Sequence, residues 1–263
     1  MQQTRIDWAD MSANPITGCR HGCTWCYARR MAHRLASNPG PGAAPYRAAA
    51  QLLGDPFAPA LHLDVLEAML ERLRRSRRGR RVFLGSMSDV ACAGSWGLLR
   101  GGQLVATWPD RLVQGAILGA CADMPGHTFQ ILTKNPSNLL PGWGRNVHLG
   151  TSCPDTKAAG ANVSALLRAT AGSGVGLKWA SVEPLTDPDF DPFTLTGVGW
   201  VVVGAESGPG APRPGTHEAE AIAWAACRIR DWAQRQGIPV FIKSNLRKLR
   251  VAEFWPQHLP TGR

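Results

Sequence analysis

The stretch WVVVGAES, residues 200–207, joins an apolar run to polar residues that directly follow it. Four consecutive apolar residues closed by Gly204 are typical of a strand buried on both faces of a parallel sheet. An extended segment at 12–17 is a further candidate strand. The pattern of a short apolar strand followed by hydroxyl, amide or charged residues recurs five more times, at 82–86, 128–132, 147–151, 177–182 and 239–243.

Helical patterns separate several of these strands. One helix begins near Asp64 and places Leu66, Met69 and Leu73 on one face; the others are expected at 24–36, 110–121, 157–171 and 217–236. Strands alternating with helices predict an α/β fold, here a partial or nearly closed (β/α) barrel of about six to seven parallel strands in a single domain over 1–263. Segments expected to be irregular are a Pro/Gly-rich insertion near 38–60, long loops at 88–108 and 184–198, a lid or rigid connection at 208–215 and a C-terminal extension near 246–263.

Residues that follow parallel strands meet on one face of a barrel, where such enzymes keep their sites. Lys134 and Glu206 follow two of the predicted strands, and we take them as candidate catalytic residues. Serines, threonines and Glu183 follow other strands. The sequence therefore predicts a polar site at the carboxyl ends of the strands.

The stretch CRHGCTWCY, residues 19–27, carries the most specific chemical signal in the chain. Three thiolates spaced C-x3-C-x2-C can hold three irons of a 4Fe–4S cubane and leave the fourth iron open, whereas electron-carrying clusters take four cysteines. Cys19, Cys23 and Cys26 are the predicted ligands. The same cysteines with His21 or His33 could instead form a Cys3His zinc site. His33 lies outside the usual histidine spacing, and the cluster is the favoured interpretation.

Composition agrees with a cytoplasmic enzyme. The chain has 263 residues, 44% of them apolar, and its N-terminal residues contain no signal-peptide hydrophobic stretch. No apolar run is long enough to cross a membrane, so no membrane partner is expected. An odd total of seven cysteines, three of them clustered, favours a reducing compartment.

A formal net charge of +10 invites a nucleic-acid partner. Part of this charge lies in an arginine run at residues 72–81, placed at the end of the helix that begins near Asp64. Guanidinium groups suit phosphate contacts, so a polyanionic substrate is the favoured interpretation, and a solvated surface is the alternative.

Several motifs together carry a family resemblance. The cysteine spacing with Trp25 before the third cysteine resembles the radical S-adenosylmethionine (SAM) superfamily. In addition, six segments resemble, in the same order, a phage-associated and largely uncharacterised radical SAM-like family, and they lie at 6–8, 14–19, 86–89, 132–134, 181–185 and 204–210. The chain departs from that family at 244–245, where Gln-Trp is usual, and at Cys153, where an aliphatic or small residue is usual.

The resemblance implies roles for the residues at the strand ends. Trp25 and Tyr27 would shield the cluster from solvent. The amino group of SAM would meet Ser86, Met87 and Ser88. The ribose would meet Thr151, Ser152 and Glu183, and the adenine would lie near Gly204.

The chemistry implied is reductive cleavage of SAM to methionine and a 5'-deoxyadenosyl radical, which then abstracts a hydrogen atom from the substrate. A reductant such as flavodoxin or ferredoxin would supply the electron. Cys92 and Cys153 are candidate hydrogen-atom donors to a product radical. Buried, inert thiols are the alternative for both, as they are the expectation for Cys121 and Cys227.

The favoured substrate is a nucleic-acid component such as a modified base in phage-type DNA, rearranged or repaired in the cytoplasm (of the host, if the protein is phage-encoded). A peptide or a small metabolite are other substrates that the same chemistry allows. The alternative to an enzyme is a non-catalytic nucleic-acid-binding protein that carries zinc or a cluster.

Overall fold

The computed structural model describes residues 2–4, 6–207, 211–247 and 249. Its main sheet contains seven parallel strands, and one short strand pairs antiparallel at the edge. The strands of this sheet, in spatial order, are β1 (Gln2–Gln3), β2 (Met11–Ala13), β5 (Arg81–Leu84), β8 (Thr128–Thr133), β9 (Val147–Ser152), β10 (Leu177–Val182), β11 (Trp200–Val203) and β12 (Val240–Ile242). The predicted partial barrel of parallel strands is confirmed.

The sheet is curled into a half-barrel. Trp8, which precedes β2, packs on Phe83 of β5 with ring centroids 4.7 Å apart and on Trp200 of β11 with centroids 5.6 Å apart. β5 and β11 are separated by three strands, so they would lie about 19 Å apart in a flat sheet. One indole can contact both strands because the inner face is concave.

Seven α-helices accompany the strands within the described residues. They are α1 (Tyr27–Ala36), α2 (Ala44–Leu53), α3 (Leu63–Arg74), α4 (Asp110–Ala122), α5 (Thr156–Ala169), α6 (His217–Arg235) and α7 (Ser244–Arg247). Side chains cap the starts of two long ones: Asp155 accepts a hydrogen bond from the Ala158 amide at the start of α5, and Thr216 accepts one from the Ala219 amide at the start of α6. The predicted helices near 24–36, 110–121, 157–171 and 217–236 are each found with slightly shifted ends.

Two predictions of irregular structure are wrong. The sequence predicts a loop at 88–108, but this segment contains most of a hairpin formed by β6 (Ser95–Arg100) and β7 (Gln103–Pro109). The turn is Gly101-Gly102, and both glycines have positive φ, the backbone that a two-residue hairpin turn requires. The predicted loop at 184–198 has one short 3-10 helix, Pro192–Leu195.

The second wrong prediction concerns the segment 38–60. The sequence predicts neither helix nor strand there, but the segment contains α2 and the first residue of a strand. Pro45 lies in the first turn of α2, and Gly54 follows the helix in a left-handed conformation, so the residues at both ends suit a helix. β4 (Ala60–His62) begins at the end of this segment and joins β3 (Ile16–Thr17), β6 and β7 in a second sheet, ordered β3-β4-β6-β7. In the sequence, β3 and β4 lie between β2 and β5, and β6 and β7 lie between β5 and β8. Leu61 and Leu98 of this smaller sheet pack in the same apolar cluster as Val82 and Leu84 of β5.

Side chains alternate between the two faces of the half-barrel. The outer face packs on the helices: for example, Ala180 and Val182 of β10 contact residues of α5 and α6. The inner face carries a layer of buried apolar side chains, which we call the floor. It consists of Trp8, Phe83, Trp179, Trp200, Val202 and Phe241. Gly150 makes room for this floor, because a Cβ there would lie 2.2 Å from the Trp179 ring.

No helix among the described residues is both long and apolar enough to span a membrane. Most of the predicted C-terminal extension near 246–263, and residues 208–210 of the predicted lid, lie outside the described part of the chain.

Candidate functional site

A cavity of about 1120 Å³ opens at the carboxyl ends of the parallel strands. Residues that follow or end several strands line it, in line with the sequence prediction of a site on this face. Cys19, Cys23 and Cys26 form part of its wall. The predicted residues that also line it are Trp25, Tyr27, Ser86, Met87, Ser88, Lys134, Ser152, Glu183 and Glu206.

The cysteine loop is held by backbone contacts. Gly18 has a φ of +86°, and a Cβ at this position would lie 2.3 Å from the carbonyl oxygen of Ala58, so only glycine fits. The Gly18 amide donates to the carbonyl of Met87 at 2.9 Å. Cys19, the next residue, is therefore held in a fixed position beside the turn that follows β5.

Amide groups point at two of the three thiols. The Cys26 sulfur caps α1 and accepts a hydrogen bond from the Arg29 amide at 3.4 Å. The Cys19 sulfur accepts one from the His21 amide, also at 3.4 Å. Amide donors and a helix N-terminus stabilise negative charge on sulfur. All three cysteines are half-buried and accessible from the cavity. The His21 amide favours negative charge on Cys19, whereas Cys92 and burial raise the pKa of that thiol.

Asp89 connects the cysteine loop to the end of β8. Its buried carboxylate accepts hydrogen bonds from the Thr133 hydroxyl at 2.6 Å and from the Lys134 amide at 2.8 Å. It also lies 3.0 Å from His21 Nε2, and this contact raises the pKa of the imidazole. One ligand atom each from Cys19, His21 and Asp89 lies within 4.8 Å of the other two, close enough to share a metal ion.

The segment 86–88 is tied to β2 and to α1. Asn14 Oδ1 accepts hydrogen bonds from the Ser86 hydroxyl at 3.0 Å and from the Met87 amide at 3.1 Å. The Tyr27 hydroxyl donates to the Ser86 carbonyl. Met87 is buried and packs in one cluster with Cys19 and Cys26. The turn expected to meet the amino group of SAM therefore lies against the cysteine loop.

Two lysines with different partners face the cavity on its other side. Lys243, after β12, is paired with Glu183, after β10. Gly204 lies beneath this pair, since a Cβ there would lie 3.0 Å from Lys243 Cδ and 3.1 Å from Glu183 Cδ. Lys134 Nζ instead donates to the Ser152 hydroxyl at 2.6 Å. Gly204 is thus present because the ion pair crosses it closely, and no sequence pattern indicates that pair.

Four predicted residues are not among those that line the cavity: Cys92, Thr151, Cys153 and Gly204. Thr151 and Cys153 are odd-numbered residues that follow Leu149 of β9 on the outer face, and both are fully buried. The Thr151 hydroxyl donates to the Thr133 carbonyl at 3.0 Å, and Cys153 packs among Ala159, Val163 and Val182. Burial raises the pKa of Cys153 to about 12, as expected for an inert thiol. Placing these two side chains at the site was wrong, because they point the other way from Ser152.

Cys92 has a different environment. It is buried, and Arg20 Nη1 lies 3.8 Å from its sulfur. Cys19 and Arg20 beside it lower the pKa of the Cys92 thiol, and Cys92 in turn raises the pKa of Cys19. A role for Cys92 as hydrogen-atom donor stays a prediction. Cys121 and Cys227 are buried on α4 and α6, as expected.

The arginine run at 72–81 lies at the other end of the half-barrel. It begins in the last turn of α3 and ends at Arg81, the first residue of β5. Arg81 pairs with Asp10 and Arg75 pairs with Glu71. The cavity lies beyond the carboxyl end of β5, whereas Arg81 is its first residue, and none of residues 72–81 is among those that line the cavity. The run therefore does not border the cavity.

Sequence reasoning missed three residues that organise the site, Asn14, Asp89 and Lys243. Asp89 follows the predicted strand at 82–86 and Lys243 ends the predicted strand at 239–243, and this position is the one signal that could have identified them. Their partners lie 44 and 60 residues away in the sequence. Only the folded chain brings these pairs together.

The fold and the site define an α/β half-barrel protein with a cysteine-lined cavity at the carboxyl ends of its strands. The chain belongs to the family described as "Protein of unknown function (DUF5131)", whose model matches residues 3–247. No curated protein and no solved structure matches the chain.

Proposed function

We propose that this protein is a radical SAM enzyme that carries a 4Fe–4S cluster on Cys19, Cys23 and Cys26. The observation that carries the proposal is the position of these cysteines: all three line one cavity at the catalytic end of a parallel half-barrel. Three cysteines leave one iron of a cubane without a protein thiolate. That open iron is where SAM would bind.

The donor set fits this cofactor. Thiolates are the ligands that iron–sulfur clusters use, and hydrogen bonds to sulfur tune the reduction potential. The amides of His21 and Arg29 already donate to two of the thiols. When bound, a reduced cluster supplies the electron that cleaves SAM to methionine and a 5'-deoxyadenosyl radical.

The chain's own groups would bind and orient SAM. The backbone of Ser86, Met87 and Ser88 is fixed beside the cysteine loop by Asn14 and Gly18, so it offers rigid polar groups for the amino acid part. Ser152 and Glu183 on the opposite wall offer a hydroxyl and a carboxylate for the ribose. Trp25 and Tyr27, which line the cavity beside the cysteines, would help to exclude water from the reacting atoms.

The substrate that we propose is a nucleic-acid component such as a modified base, and a flavodoxin or ferredoxin would be the reductant. The cavity of about 1120 Å³ has room for a nucleotide beside SAM. The net charge of +10 favours a polyanionic partner. The setting that we propose is the cytoplasm, where a cluster of this kind stays reduced.

A zinc protein is the second candidate, and one observation favours it. Cys19, His21 and Asp89 already hold one ligand atom each within 4.8 Å of the other two, close enough to share one ion. A structural zinc site with Cys23 as a fourth ligand would leave no position for SAM.

Metal analysis and a SAM assay separate the two candidates. Protein prepared without oxygen should be brown and contain about four irons per chain, and with dithionite it should release 5'-deoxyadenosine from SAM. Replacing Cys19, Cys23 and Cys26 with alanine should remove iron and product. Cys121→Ala, in the core of α4, is the matched control and should keep both. A colourless protein with one zinc per chain would exclude the proposal.

A further inference from the structure

One edge of α1 forms an exposed strip beside the cavity. At 100° per residue, Arg30, Arg34, Tyr27 and Met31 fall within about 100° of arc on the helix, while Ala28 and Ala32 face the core. All four residues of the strip are exposed, and Tyr27 and Met31 also line the cavity. We call these four residues the α1 strip.

The two arginines of the α1 strip differ from the other arginines near the mouth. Arg29 pairs with Asp55 at 3.2 Å, and Arg47 donates to the carbonyls of Asn38 and Gly40. Within the described part of the chain, no carboxylate lies within 4.0 Å of a nitrogen of Arg30 or Arg34. Two guanidinium groups one helical turn apart therefore offer their charge to a ligand from solution.

The aromatic member of the strip is oriented. The Tyr27 hydroxyl donates to the Ser86 carbonyl, which fixes the ring at the cavity edge with 49% of the residue exposed. A fixed, half-exposed ring next to cations is the combination that binds single-stranded nucleic acid, where bases stack and phosphates pair with arginine. Met31, one turn further on, extends the apolar surface.

We propose that the α1 strip binds single-stranded nucleic acid, with the backbone along Arg30 and Arg34 and a base directed past Tyr27 into the cavity. This inference rests on the proposed function, because it supplies the substrate to the same site. A base inside a duplex cannot reach the cysteine loop unless it leaves the stack, so a single strand is the form that fits. The arginine run at 72–81 cannot present a base to the cavity, since it lies at the other end of β5.

The test compares the two arginine groups in one assay. The probe is a fluorescein-labelled oligothymidylate on the order of 12 nucleotides, and its anisotropy is followed across a salt series. Arg30→Gln/Arg34→Gln should weaken binding and lower the slope of log K against log salt by about 1.4, or about 0.7 for each phosphate that is no longer neutralised. Arg77→Gln/Arg78→Gln, which removes two exposed arginines of the run, should leave the slope unchanged.

Arg30→Lys/Arg34→Lys keeps the charge and should retain most of the slope, and circular dichroism checks that each variant is folded. The inference is overturned if wild-type protein does not bind the oligonucleotide, if the Arg30/Arg34 variant binds like wild type, or if the Arg77/Arg78 variant loses as much. These outcomes are independent of iron content and of SAM cleavage without substrate. A protein that contains the cluster and cleaves SAM but ignores the oligonucleotide would refute this inference alone.

Discussion

The floor and the mouth of the half-barrel are built from the same strands, yet they have opposite chemistry. On the inner face of β10, Trp179 lies in the aromatic floor, Ser181 lines the cavity two residues later, and Glu183 pairs with Lys243 just beyond the strand. A rise of about 7 Å per two residues separates these layers. Packing residues and polar residues are therefore divided by depth along each strand.

Truncating the floor should have the largest effect on stability. Trp179→Ala removes a fully buried indole that contacts Trp8 and Trp200, so we expect the free energy of unfolding to fall by about 3–5 kcal/mol. Ser181→Ala, two residues further along the same face, should change it by about 1 kcal/mol or less. Guanidinium denaturation followed by circular dichroism measures both. Equal losses would contradict the division by depth.

Lowering the pH should have the second largest effect on stability. Burial lowers the pKa of His148 to about 4 from an ordinary value of 6.5. Between these values the unfolded chain binds the proton and the folded chain does not, so the free energy of unfolding should fall as the pH drops from 6.5 to 4, by at most about 1.4 kcal/mol per pH unit for this group.

Denaturation curves across this pH window provide the measurement. His148→Gln should show a shallower decline than wild type, although His62, whose pKa burial also lowers to about 4, still contributes. His217→Gln, at an exposed position at the start of α6, should keep the wild-type slope. If the free energy of unfolding of His148→Gln falls with pH as steeply as that of wild type, this histidine is not a buried neutral group.

The smallest effect is expected at Gln130, on the inner face of β8 below the cavity. Neither atom of its buried amide has a hydrogen-bond partner among the described residues. Gln130→Leu removes a desolvated polar group, so the free energy of unfolding should rise or change by no more than about 1 kcal/mol. Thr133→Val, three residues later, removes a hydrogen bond to the buried Asp89 and should cost about 1–3 kcal/mol. If chemical denaturation shows a larger loss of stability for Gln130→Leu than for Thr133→Val, the description of Gln130 as a buried amide without a partner is contradicted.

The main sheet could be predicted from the sequence because its strands are short apolar runs with clear ends. The second sheet was missed although it carried local signals. Gly101-Gly102 between two apolar segments is a hairpin signal, and Pro45 with Gly54 marks the two ends of α2. These signals were outweighed by the high Pro and Gly content of the surrounding segments.

The site was predicted in part. The cysteines and the residues after β5 could be identified because their spacing is local. Thr151 and Cys153 lie one residue on either side of Ser152 and point to the opposite face of the sheet. Predicting where a strand ends does not fix which of its residues point inward. The ties made by Asn14 and Asp89 join residues 72 and 44 positions apart, and no local pattern encodes them.

Electron paramagnetic resonance detects both the proposed cluster and its open iron. Wild-type protein, loaded with iron without oxygen and reduced with dithionite, should give the signal of a reduced 4Fe–4S cluster. Adding SAM should change the g values, because the iron without a cysteine ligand would take up SAM. Cys23→Ala should lose the signal. A reduced cluster whose signal ignores SAM, or a protein that holds zinc and gives no signal, would contradict the account.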